Sequence, residues 1–172
     1  MIKYAIFILV IAGLVFNCSN KSSSAVNQKS ILGAWEVNKI EWLTADTTFV
    51  IEKAQAGYLM VLPKRYTFMW TPTKTARIAF KKLAYPTDEE ILSGFRSIVF
   101  NAGTYKITDS IFKLEASIAK VPGFEGGTQA FVYNIADDTL KFKMIDETYP
   151  NGEKPDWYGK VETRFTLFRL KE

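Results

Sequence analysis

Histidine is missing from all 172 residues of this chain, and cysteine occurs once, at Cys18. Without imidazole there is neither the usual general base of a nucleophilic triad nor the commonest zinc ligand. With a single thiol no disulfide can form within the chain. Charge of one sign is not concentrated anywhere: 22 basic and 18 acidic side chains give a formal net charge of +4, with no run of five or more like charges. That distribution argues against a nucleic-acid footprint, which needs a basic stripe or patch. No apolar run approaches the roughly twenty residues that a membrane-spanning helix requires.

What the chain has in quantity is apolar and aromatic side chains, 48% and 15% of its residues, enough for one well-packed domain. The longest apolar run is at the start, where Ala5 to Phe16 contain nothing polar and follow Lys3. A short run of this kind after a basic residue is the apolar core of a secretory signal. Cys18 comes directly after it and is followed by "SNKSSSAVNQKS". This arrangement resembles the processing site of bacterial lipoproteins, although Asn17 stands where that family usually has Gly, Ala or Ser. The resemblance implies a signal peptide over 1–17, a lipidated Cys18, a flexible tether over 18–30, and a domain over 31–172 exported to the cell envelope and anchored to a bacterial membrane.

From Ile31 onward, alternating apolar and polar residues in short runs predict strands. "GAWEVNKIEWL" is the first, with a bulge or bend near Asn38, because Trp35 and Val37 share one parity whereas Ile40 and Trp42 need the other. "TTFVIEK", "GYLMVLP" and "RYTFMWT" follow, the last two joined by a tight hairpin turn. Residues 72–85 read as loop or short irregular strand. In "PTDEEILSGFRSIVF", Thr87 and Glu90 form a capping box, and Ile91, Leu92, Phe95, Ile98 and Val99 recur at helical spacing, so a helix is expected over about 87–100. Its acids Asp88, Glu89 and Glu90 suit the positive end of the helix dipole and need no chemical role. "AGTYKI", "SIFKLEASIAK", "GTQAFVYNI", "TLKFKMI" and "KVETRFTLFRL" add five strands, with turns at Asp109-Ser110 and Asp137-Asp138, and "YPNGEKPDWYG" reads as a rim loop.

The expected fold is all-β, an antiparallel barrel of about 8–10 strands with one inserted helix, since an open sheet of that length would leave two aggregation-prone edges. The opening "LGAWEV" resembles the Gly-x-Trp signature of lipocalin-type barrels. "GYLMVLPKRY" and the stretch from "NAGTYKI" to "DDTLKFKM" look like the bacterial lipocalin-like domain family in the same order, over roughly residues 31–170. Members of that family often carry histidine in the strand that here reads "FKLEAS". The resemblance implies that Trp35 closes the barrel floor beside Gly33, with Arg169 packed across its ring, a contact worth roughly 0.5–2 kcal/mol.

Two functional readings follow from such a barrel. In one, the mouth admits a small apolar or amphiphilic molecule, with Tyr58, Met60, Tyr66, Phe68, Trp70, Phe112, Leu114, Gln129, Phe131, Tyr133, Phe142 and Phe165 as candidate lining residues. In that reading, alternation along "TQAFVYNI" turns Gln129 inward with Phe131 and Tyr133, as one of the few polar groups inside. In the other, the barrel is packed solid and meets an envelope protein through exposed Trp157 and Tyr158 in the rim loop. Enzymatic activity is not expected, because no spacing singles out a carboxylate pair, a Ser/Lys arrangement or a Tyr. Neither a cofactor nor a metal is expected, Asp137 and Asp138 fitting a hairpin turn more simply than a calcium loop.

Overall fold

A computed structural model of the protein describes residues 31–171. The signal peptide, Cys18 and the tether expected from the sequence lie outside these residues. The strands are β1 (Gly33–Leu43), β2 (Thr48–Ile51), β3 (Tyr58–Val61), β4 (Tyr66–Trp70), β5 (Val99–Ile107), β6 (Ile111–Ala119), β7 (Thr128–Ala136), β8 (Thr139–Thr148) and β9 (Glu162–Arg169). A nine-residue helix, α1 (Asp88–Arg96), is inserted between β4 and β5. All pairings are antiparallel and follow chain order from β3 to β9. β1 closes the circle. One of its edges pairs with β9 from Trp35↔Arg169 to Leu43↔Glu162, and the other pairs with β3 through Gly33–Glu36 and with short β2 through Ile40–Leu43. The result is an eight-stranded antiparallel barrel of lipocalin-like architecture, with β2 lying alongside its seam. Closure gives each barrel strand a partner on both sides, so no strand of the barrel is an open edge.

The bulge expected near Asn38 is present as a register shift between Val37 and Lys39. It allows Trp35, Val37 and Ile40 all to be buried although Val37 and Ile40 differ in parity. The freed backbone is satisfied locally, Val37 N–H donating to Gly57 O at 2.8 Å and Ala54 N–H donating to Asn38 O at 2.8 Å. At one end of the barrel the connections are tight. Leu62 N–H donates to Arg65 O at 2.8 Å in the β3–β4 hairpin, and Thr108 N–H donates to Ile111 O at 2.9 Å. Asp137 turns the chain between β7 and β8 with φ 51°, a conformation that a short polar side chain tolerates. At the other end the connections 44–57, 71–98, 120–127 and 149–161 are long. The barrel therefore has a trimmed end and a looped end.

The capping box is formed as expected: the Thr87 hydroxyl accepts from Glu90 N–H, and the Glu90 carboxylate accepts from Thr87 N–H at 2.9 Å. The helix is shorter than the periodicity predicts. It stops at Arg96, with the Ser97 N–H donating to Ser93 O and Gly94 O. Val99 instead starts β5 opposite Trp70, so pairing with β4 overrides the helical spacing of Ile98 and Val99. The apolar side of α1 is not buried either, Ile91 and Leu92 being 49% and 53% exposed.

Candidate ligand-binding cavity

The trimmed end is sealed. Trp35 is fully buried, its indole N–H donating to Ile31 O at 2.8 Å. Across its ring lies Arg169 on the last strand, with the guanidinium carbon 4.0 Å from the ring centroid. The guanidinium also donates to Leu32 O at 2.9 Å and pairs with Asp138 at 3.6 Å. Gly33 has φ +119°, and a Cβ there would stand 3.2 Å from the Arg169 guanidinium. Both the backbone conformation and the close approach therefore call for glycine at this position.

Above this floor the interior is solid with aromatic rings. Phe131 and Phe142 stack at 4.9 Å, Phe112 and Phe142 at 5.7 Å, and Phe68 meets Phe165 edge-on at 5.3 Å. Each ring removed from water contributes about 1.5–3 kcal/mol, and the edge-on and stacked contacts add to it. Trp70 sits at the top of this layer, edge-on to Phe165 at 5.0 Å and 5.9 Å from Trp42.

Beyond Trp70 the packing opens into a cavity of about 600 Å³ beneath the long loops. Its walls come from Trp42 on β1, Trp70 on β4, Val99 and Phe100 on β5, Phe124 in the loop 120–127, and Trp157 and Val161 in the loop 149–161. The volume falls in the usual range of small-molecule sites.

One side of the cavity carries a chain of polar groups from three strands. Asn101 Nδ2 on β5 donates to Gln129 Oε1 on β7 at 3.1 Å, and Gln129 Nε2 donates to Glu147 Oε2 on β8 at 2.7 Å. Asn101 is only 4% exposed and its Oδ1 has no hydrogen-bond partner among the described residues. Burial holds the Glu147 carboxyl above its ordinary range; the Gln129 hydrogen bond opposes this shift and the charge of Asp146 adds to it. Asp146 itself pairs with Lys154. Lys120, also on the wall, has its pKa lowered by burial, and its ammonium is turned toward α1, donating to Phe95 O at 2.9 Å and lying 4.3 Å from the Phe95 ring centroid.

The residues expected from the sequence to line a pocket separate into three groups. Trp70 and Gln129 do line the cavity. Tyr66, Phe68, Phe112, Leu114, Phe131, Tyr133, Phe142 and Phe165 face inward but are buried in the packed layer below it. Tyr58 and Met60 are corrections: on β3 the buried residues are Leu59 and Val61, so Tyr58 and Met60 lie on the outer face, with Met60 44% exposed. Trp157, expected to be exposed, is instead half-buried against the cavity, whereas Tyr158 is exposed beneath the ammonium of Lys154, 5.0 Å from its ring centroid.

Asn101, Glu147, Trp42 and Lys120 are cavity residues that the alternation did not single out. Glu147 was concealed by a register shift. β7 pairs Ala130 with Asp146 and Phe131 with Met144, which leaves Ile145 unpaired and reverses the parity, so that Glu147 faces Gln129. Among the described residues no group of three or more metal-ligating side chains is assembled, and no helix is long and apolar enough to cross a membrane. No family model matches the chain, and no curated protein is significantly similar to it.

Proposed function

We propose that the protein is a binding module of the cell envelope: a lipocalin-like barrel, exported and lipid-anchored through Cys18, that takes a small apolar or amphiphilic molecule into the cavity at its looped end. The observation that carries this reading is the cavity of about 600 Å³, walled by Trp42, Trp70, Phe124 and Trp157 above a packed core. A barrel whose only role was structural would gain by filling that space, because empty apolar volume forfeits dispersion contacts. Mixed chemistry on the wall supports an amphiphile in particular, with aromatic faces for the body and the chain Asn101–Gln129–Glu147 for a polar end. The likeness to the bacterial lipocalin-like domain family and the lipoprotein-like start of the chain agree with this role.

Binding of an environment-sensitive apolar dye tests the reading. The dye is expected to brighten on the native protein, and Gln129→Trp, which fills the cavity from its wall, is expected to abolish binding without unfolding the barrel. Equal dye binding to both proteins, or to neither, contradicts the proposal. The anchor is tested separately: Cys18→Ser is expected to move the protein out of the membrane fraction, and unchanged fractionation would show an exported protein without a lipid.

A further inference from the structure

Taking the cavity to be a ligand site, as proposed above, its electrostatics say what kind of ligand it selects. Glu147 sits half-buried on the cavity wall, and among the described residues no lysine or arginine lies within ion-pair distance of it. A carboxylate so placed has lost part of its hydration without gaining a counter-charge, an unfavourable state that a cation relieves. The charged groups around it do not supply that cation. Lys120 is committed to the carbonyl and ring of Phe95, Asp146 is held by Lys154, and Tyr149, which also lines the cavity, carries no charge at neutral pH.

The neighbouring amides reinforce the preference. An ionised carboxylate can only accept hydrogen bonds, so Gln129 must present its NH2 to Glu147 and its oxygen to Asn101. Asn101 must then donate its own NH2, which leaves its Oδ1 as an acceptor without a partner. This polar chain therefore ends in acceptors on both sides, and it favours a donor over a second anion. The same cavity is lined by three indoles, Trp42, Trp70 and Trp157, with Phe100 and Phe124, and the faces of such rings attract positive charge.

We propose that the cavity is selective for an organic cation, a protonated amine on an apolar body, whose ammonium meets Glu147 while the body lies among Trp42, Trp70 and Trp157. Anionic amphiphiles such as fatty-acid carboxylates or alkyl sulfates would place like charge against Glu147.

The test compares three probes that share one tail, decylammonium, decanol and decyl sulfate, each titrated below its micelle concentration into the lipid-free domain at neutral pH. A change in tryptophan emission reports binding, because three of the four tryptophans line the cavity. Decylammonium is expected to bind at least roughly tenfold tighter than decyl sulfate, the scale of one partly screened charge pair, with decanol between them. Glu147→Gln, which keeps the side-chain shape, is expected to weaken decylammonium binding about tenfold and to affect decanol much less, so that the preference for the cation collapses. Decyl sulfate binding as tightly as decylammonium overturns the inference while leaving the cavity reading intact, and so does a Glu147→Gln protein that keeps the preference. Binding of none of the three overturns the cavity reading, and the inference with it. The comparison on the native chain stands even if the variant does not fold.

Discussion

The indole of Trp35 and the guanidinium of Arg169 divide one task, closing the barrel floor, between the first and the last strand. Their unequal burial predicts unequal costs. Trp35→Ala removes a fully buried ring and is expected to destabilise the domain by about 3–5 kcal/mol. Arg169→Ala removes the lid and is expected to cost less, roughly 0.5–2 kcal/mol from the cation–π contact. Thermal or denaturant melts check both, and a Trp35→Ala midpoint equal to that of the native protein would contradict the floor assignment. The roles of both residues were legible through the resemblance of the Gly-x-Trp start to lipocalin-type barrels, which implies a basic partner on the last strand. Gln129 was legible as well, its inward direction following from simple alternation with Phe131 and Tyr133. Glu147 and Asn101 were not. Glu147 reaches the cavity only because β8 bulges at Ile145, a property of pairing between strands and not of either strand alone. Asn101 stands between the helix expected to about residue 100 and the strand expected from Ala102, so alternation gave it no face.

Most elements could be read from alternation and turn chemistry, and the departures have physical causes. β3 shows the cost of a short strand: with four residues, either parity is plausible from sequence, and the burial of Leu59 and Val61 decides against Tyr58 and Met60. α1 shows a different effect. Its capping box was legible because capping is a local hydrogen-bond pattern, whereas its end was set by a strand partner, Trp70, far away in sequence. Apolar spacing on α1 also did not imply burial, and this makes a prediction. Leu92→Ser is expected to change stability by less than about 0.5 kcal/mol, as for an ordinary surface site. A loss of several kcal/mol in a denaturant melt would mean that this face of α1 packs against something.

At the scale of the whole molecule, the tight turns, Trp35 and Arg169 lie at one end and the long loops at the other, with a layer of phenylalanine rings between. That polarity explains why so many inward-facing aromatics are core and so few touch the cavity. A closed eight-stranded barrel has little spare interior, and in this one packed rings fill the lower part while the upper part opens into the cavity. The sequence could indicate the barrel, but not the level at which packing stops. That level depends on where Trp70 rests against Phe165, a contact between β4 and β9.

The most direct test of this division is a two-dimensional amide and indole NMR spectrum recorded while a small apolar or amphiphilic ligand is added. The four tryptophan indole N–H signals report on both ends at once, because Trp42, Trp70 and Trp157 line the cavity while Trp35 is buried in the floor and bonded to Ile31. The account predicts that the first three shift with ligand and that the Trp35 signal stays in place. A shift of Trp35 alone, or no movement of any indole signal at saturating ligand, would contradict it.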